Sequence, residues 1–549
     1  MNLLNRYLDR TEFADYDDFA ANCKLKVPDK FNFAYDVVDE YARICPEKRA
    51  LVWCNDKGEE KIFTFGDISK LSNKIANMLL SYGYKKGDII MSMLNRRWEF
   101  WVLVMACHKI GVVLIPATFM LTPKDISYRI NGAGAKGLVS INEDSVIKCI
   151  DEAKKDMPDD MIYFTIGKRD GYIDFDNAFA DFSDKLERVD TDINDEILIY
   201  FTSGTTGYPK MVAHNQLYPL GHIYTAVYWH GVVDDGLHFT SAETGWAKCS
   251  WGKLYGQWIA GTALFVYDYF GRFAPTDLLK HIPEYKITTF CAPPTIYRYL
   301  VKEDLSKYDL SSLIHCSTAG EPLNAEVWKQ FFNATGREIY EGYGQTETSI
   351  IMGTFKNMKI VPGSMGRPCP LYDVHLVDEN YNDVEMGEVG EIVIKRREKQ
   401  CGLLCKYHNS PELTEKLLGD GYHHTGDLAY RDEHGYFWFI GRADDIIKSS
   451  GYRIGPFEVE SALHEHPAVL ECAVTGAPDP VRGQVVKATI VLAKGYTGSE
   501  ELKKELQTHV KKATAPYKYP RIIEFVTELP KTISGKIRRV DIRKAQNAR

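Results

Sequence analysis

The chain has 549 residues, 45% hydrophobic and 26% charged, with a formal net charge of -8. That length exceeds what a single hydrophobic core organises, so several domains are expected, and the mildly acidic balance excludes nucleic acid, whose phosphates demand a basic face. Twelve cysteines without a regular framework, and a start MNLLNRYLDRTEFADYDDF that lacks an apolar core and a small-residue cleavage site, lead to the expectation of a reduced, cytoplasmic protein.

In chain order, Leu71, Ile75, Met78, Leu79 and Tyr82 fall on one face of a helix that Gly83 caps. The longest hydrophobic stretch, Trp101 to Leu121, is interrupted by His108, Lys109, Gly111 and Pro116, so it reads as a helix and a buried strand, with no membrane span. Short apolar runs at Ile89–Met93, Val112–Ile115, Lys136–Ile141, Ile197–Phe201, Leu264–Tyr267 and Thr288–Ala292 alternate with helical segments, the pattern of parallel α/β layers. Cys401 and Cys405 in CGLLC lack a second ligand pair, and the segment reads as a plain apolar loop. After GRADDIIK the pattern changes. A helix from Pro456, strands near Val469–Thr475 and Val485–Leu492, a charged helix from Ser499 to Lys512 and a strand at Ile522–Val526 make a small α+β domain.

Four segments carry chemistry. The strand EILIYF runs into TSGTTGYPK, where Gly204 and Gly207 permit tight turns that expose backbone N–H groups, and Ser203, Thr205, Thr206 and Lys210 add side-chain donors for phosphate. A Walker loop would put lysine directly after the last glycine; here Tyr208 and Pro209 intervene, so this is a different phosphate loop. YEGYGQTE, Tyr340 to Glu347, offers glycines and an aromatic ring for a nucleotide base and a hard carboxylate, Glu347, for Mg²⁺; it lacks the third glycine of a dinucleotide fingerprint. HTGD sets Asp427 on a tight turn, where it can accept from ribose hydroxyls, and LPKTISGKIRR sets Lys536 after Ser534 and Gly535.

TSGTTGYPK, YGQTE, HTGD, GRADDIIKSSGYRIGP and PKTISGK, in this order over most of the chain, resemble the adenylate-forming superfamily of acyl-CoA synthetases, adenylation domains and luciferases. Within it the chain looks most like medium-chain acyl-CoA synthetases, including SGYRIGPFEVESAL at Ser450–Leu463. The resemblance implies a large N-terminal domain, residues 1–443, of stacked α/β subdomains plus a distorted β-barrel. A small mobile α+β domain, residues 444–549, would follow a hinge near Asp444. It implies that Thr202, Ser203, Gly204, Thr205, Thr206, Gly207 and Lys210 hold the triphosphate of ATP. Gly320, Glu321 and Pro322 with Glu341, Gly342 and Tyr343 would frame adenine, Gly344 and Gln345 would belong to the same nucleotide site, Thr346 and Glu347 would take phosphate and Mg²⁺, and Asp427 the ribose. Arg442 would contact ribose or phosphate, Arg453 would sit near nucleotide or CoA, and Lys536 would bridge the acid and the α-phosphate. Ser450, Gly451 and Tyr452 match the CoA loop, with Arg482 and Arg521 as further CoA partners.

The corresponding region of the resembling synthetases places the acyl pocket in ETGWAKCSWGKLYGQW, with Trp246, Trp251 and Lys253 as wall residues. An inward Trp251 shortens the tunnel and favours short- to medium-chain or branched acids; a ring packed in the core is the alternative. An amino-acid adenylation domain would need an aspartate for the α-ammonium, which is not evident around Glu243–Trp246. The chain stops soon after Lys536, leaving no fused carrier, which favours a free thiol such as CoA over another acceptor. A non-catalytic nucleotide sensor is the remaining alternative, disfavoured by intact Lys210, Glu347, Asp427 and Lys536.

Overall fold

The computed structural model describes residues 2–202, 209–271, 274–450, 452–531 and 537–547. Ser203, Gly204, Thr205, Thr206, Gly207, Gly451 and Lys536 lie outside the described residues.

Two large sheets dominate. The first has eight strands in the order Lys406–Tyr407, Lys210–Asn215, Glu196–Thr202, Val113–Pro116, Ile89–Met93, Gly137–Ser140, Ile162–Thr165 and Ile173–Asp174. The second has nine: Arg367–Pro368, Met352–Gly353, Ile339–Tyr343, His315–Ala319, Thr289–Cys291, Leu237–Thr240, Ala263–Asp268, Arg49–Asn55 and Glu60–Thr64. Interior neighbours run parallel, while antiparallel pairing is confined to the margins. Every residue of Ile89–Met93 and of Ala263–Asp268 is buried, which is why these strands read as continuous apolar runs instead of alternating ones.

All of the helix Glu99–Ile110 is buried, so its all-round hydrophobicity belongs to a central helix and not to a membrane segment. No described helix is long and apolar enough to cross a membrane. Its Lys109 is tolerated at full burial because Nζ donates to Asp39 Oδ1 at 2.7 Å and Asn73 Oδ1 at 2.6 Å. The neighbouring helix Phe65–Ser81 starts earlier than its apolar spacing indicates, at a capping box between Thr64 and Asp67. Tyr82 falls just past its end, 39% exposed, and so leaves the apolar face to which the periodicity assigned it.

Antiparallel strands Asp373–Val377, Gly390–Lys395, Tyr422–Arg431 and Phe437–Arg442 form a third sheet. The resemblance implied a distorted barrel beside the α/β subdomains; among the described residues these four strands pair in one antiparallel ladder. The last sheet contains Val469–Asp479, Gly483–Leu492 and Ile522–Val526 and carries the helices Pro456–His464 and Glu500–Ala513. Its core, with Ile447, Val459, Leu463, Val486, Ile490, Leu506 and Ile523, draws on no residue before Ile447.

Trp258 illustrates how the large core is held: fully buried, it packs against Phe33 and Phe65, and its Nε1–H donates to Ala50 O at 2.9 Å. Trp258→Ala should cost roughly 3–5 kcal/mol, read as a lower denaturant midpoint, because it leaves both a cavity and an unpaired carbonyl.

Candidate active site

The ends of the two large sheets bring together motifs that are far apart in sequence. Strands Glu196–Thr202 and Lys210–Asn215 pair so that Thr202 lies opposite Lys210, which fixes both ends of the phosphate segment. The short strand Lys406–Tyr407 adds to the outer side, with Tyr407 opposite Val212. Lys210 Nζ stands 5.6 Å from the Tyr407 ring centroid, and the Tyr407 hydroxyl donates to Glu347 Oε1 at 3.2 Å. Tyr407 therefore joins the expected triphosphate lysine to the expected metal carboxylate. Burial pushes the Glu347 carboxyl up, against the downward pull of the Lys210 ammonium. One carboxylate supplemented by phosphate oxygens is a donor set that Mg²⁺ accepts, so Glu347 fits as its protein ligand, and the bound ion would screen the triphosphate charge.

The segments expected to frame adenine lie edge to edge, because His315–Ala319 and Ile339–Tyr343 are parallel neighbours that pair Ala319 with Gly342. Gly320 has φ +105°, and a Cβ there would meet Lys248 Nζ at 2.1 Å; that amine donates to Ala319 O. Glu321 accepts from Thr295 Oγ1 at 2.6 Å, and Pro322 follows it, half-buried. A Cβ on Gly342 would lie 2.5 Å from Trp229 Cε2, and one on Gly344 2.4 Å from Trp251 Cη2. These two glycines are required because indole rings press on the backbone. Beneath them Glu341 is buried, accepts from Leu323 N–H at 3.3 Å, and is pushed up to about 8 by burial.

Asp427, 5% exposed, is held by three residues from other segments. The Tyr343 hydroxyl donates to Oδ2 at 2.6 Å, Gln345 Nε2 donates to the same oxygen at 2.8 Å, and Arg442 Nη1 stands 3.5 Å from Oδ1. Gln345 is itself fixed by a second bond to Thr425 O, and the Thr346 carbonyl accepts from His214 Nε2 at 2.9 Å. Arg442 also reaches the expected hinge, with Nε 3.8 Å from Asp444 Oδ1.

Other expected residues are placed elsewhere. Arg453, 57% exposed, pairs with Glu379 at 2.6 Å and not with the Asp427 cluster. Arg482 Nη1 donates to Ser450 Oγ at 3.2 Å, Tyr452 stacks on Tyr517 at 4.1 Å, and Arg521 Nη1 donates to Tyr519 Oη at 2.7 Å. Trp251 is buried with Nε1–H on Thr348 O at 3.1 Å, so its ring does border the glycine loop, whereas Trp246 is half-buried. Lys253 lies in the core, where Nζ donates to Ala242 O at 2.9 Å and burial, with help from Arg96, pulls the amine down to about 7. The lysine that reaches the turn at Gly320 is Lys248, which sequence reading passed over. Tyr407 was also missed: it lies two residues beyond the segment read as a plain apolar loop, and only strand pairing gives it a place.

Two family models match: AMP-binding enzyme over residues 38–400, and AMP-binding enzyme C-terminal domain over residues 458–536. The chain belongs to this family, and ATP-dependent, AMP-forming acid–thiol ligation is the chemistry of its site. Among curated relatives, acyl-coenzyme A synthetase ACSM3, mitochondrial, of Mus musculus is 43% identical over 97% of this chain and 94% of its own length. The Homo sapiens protein of that name is 43% identical over 99% and 94%. Among solved structures, the anthranilate CoA ligase AuaEII in complex with anthranoyl-AMP has a TM-score of 0.86 at 30% identity, covering 95% of this chain and 98% of that one. An acyl-CoA synthetase of Brucella canis has a TM-score of 0.75 at 32% identity, covering 98% and 99%. The expectation of a cytoplasmic protein is overturned by the relatives, which are named mitochondrial enzymes and point to that organelle. Free thiols separate intracellular from secreted proteins and do not tell one intracellular compartment from another.

The Glu341 carboxyl ionises near 4.5 when unfolded and near 8 when folded, so between those values the folded state keeps a proton that the unfolded state releases. Its effect is to lower stability as pH rises through that window. Glu341→Gln should therefore gain in denaturant midpoint over the parent between about pH 5 and about pH 8; a difference independent of pH would refute the assignment.

Proposed function

We propose that this enzyme activates a short- to medium-chain carboxylic acid with ATP and transfers the acyl group to coenzyme A. The carboxylate oxygen attacks the α-phosphorus and pyrophosphate leaves; the CoA sulfur then attacks the acyl carbon and AMP leaves. The observation that supports this most is the convergence of Lys210, Tyr407 and Glu347 on one side with Tyr343, Gln345, Asp427 and Arg442 on the other. The first group suits a triphosphate and its metal, the second a ribose.

Residues 1–443 form the adenylation domain in this reading and residues 444–549 the mobile domain. Lys536 supplies the cation that cancels repulsion between carboxylate and triphosphate while the adenylate forms. Ser450, Gly451, Tyr452, Arg482 and Arg521 face CoA in the second half-reaction, after rotation at Asp444. Lys536→Ala should lower acid-dependent ATP–pyrophosphate exchange by about a hundredfold or more while leaving thioester formation from preformed acyl adenylate largely intact. Undiminished exchange would remove Lys536 from this role.

Acid length rests on Trp251, whose indole closes on the Gly344 backbone and occupies the volume a longer chain would need. Trp251→Gly should raise the kcat/KM ratio of octanoate to butyrate at least about tenfold, since each methylene accommodated by an apolar wall changes selection on that scale. A CoA-consumption assay across acetate to octanoate, branched acids and benzoate reads this directly, and an unchanged profile would move the wall elsewhere.

A further inference from the structure

Two adjacent acids, Asp444 and Asp445, face opposite ways. Asp444 is near Arg442, at the end of the four-stranded sheet. Asp445 instead receives Arg543 Nη1 on Oδ1 and has Arg539 Nη1 3.8 Å from Oδ2, and both arginines belong to the helix Arg539–Asn547. Arg539 also places Nη2 2.7 Å from each oxygen of Glu460, and Glu460 accepts from Val474 N–H at 2.8 Å. The acid side chains are only 14% and 8% exposed.

Immediately before this helix Lys531 bridges Ile537, and Arg538 N–H donates to Pro530 O at 2.8 Å. Lys531 Nζ is further held by Glu471 at 2.7 Å. The described residues on either side of the segment that carries Lys536 are thus joined to each other next to Arg539. Buried ion pairs contribute little net stability because desolvation offsets their attraction, yet they fix geometry closely. A cluster of this kind between a pivot and a reactive segment acts on position.

We propose that Asp445, through Arg543 and Arg539, is a positioning residue for adenylate formation: it ties the first residue beyond the pivot to the base of the Lys536 segment, so that rotation at Asp444 carries both as one lever. This rests on the role given to Lys536 above. The two half-reactions should respond differently. With the full-length enzyme, Asp445→Asn and Arg543→Gln should each lower kcat for acid-dependent ATP–pyrophosphate exchange by about tenfold, since a small displacement of a reacting group is costly in rate. The KM for ATP and the transfer of preformed acyl adenylate to CoA should stay within about twofold, Arg543→Lys should recover part of the loss, and the double variant should be no worse than the poorer single one.

Unchanged exchange in Asp445→Asn overturns the proposal. Equal losses in both half-reactions with a lowered Tm also overturn it, by reducing the cluster to a fold-holding role. Lys536→Ala is measured in parallel. If it loses exchange while Asp445→Asn keeps it, only the lever fails; if Lys536→Ala itself keeps exchange, the lysine assignment fails and the lever with it.

Discussion

A carboxylate buried as deeply as Asp427 survives in a folded protein only if its oxygens are occupied, and the site depends on how that requirement is met. Tyr343 and Gln345 come from the loop at the end of the nine-stranded sheet, and Arg442 from the neighbouring strand of the four-stranded one. One carboxylate thereby locks two sheets together and fixes the loop that would carry the nucleotide. Arg442 extends the linkage to Asp444, so the ribose end of the site and the proposed pivot share a single guanidinium.

The second junction is built on Tyr407. Its ring lies against Lys210 and its hydroxyl on Glu347, so one side chain ties the start of the strand Lys210–Asn215 to the segment that follows Tyr343. Between the two junctions the backbone is shaped by aromatic rings. Trp229 and Trp251 press on Gly342 and Gly344 so closely that any side chain there would collide with them.

The small domain has its own core, and its charged cluster makes Asp445, Glu460, Arg539 and Arg543 one unit. Its described contacts with the large domain include the exposed ion pair of Arg453 and Glu379, of a kind that contributes little, and the ring contact of Phe457 with Phe439.

Local chemistry made part of this legible in the sequence. Apolar runs located several inner strands, Ile89–Met93 and Ala263–Asp268 among them, to within a residue or two, whereas His315–Ala319, buried but carrying His315, Ser317 and Thr318, gave no such run. The ordered motifs carried the resemblance and, with it, the family. What the sequence could not carry were facts of pairing across long separations: that Tyr407 stands beside Lys210, that Lys248 meets Gly320 while Lys253 lies in the core, and that Arg453 pairs with Glu379. The physical reason is that a side chain's type sets what it can bond to, whereas strand register and packing decide which partner arrives; only the folded chain makes that choice.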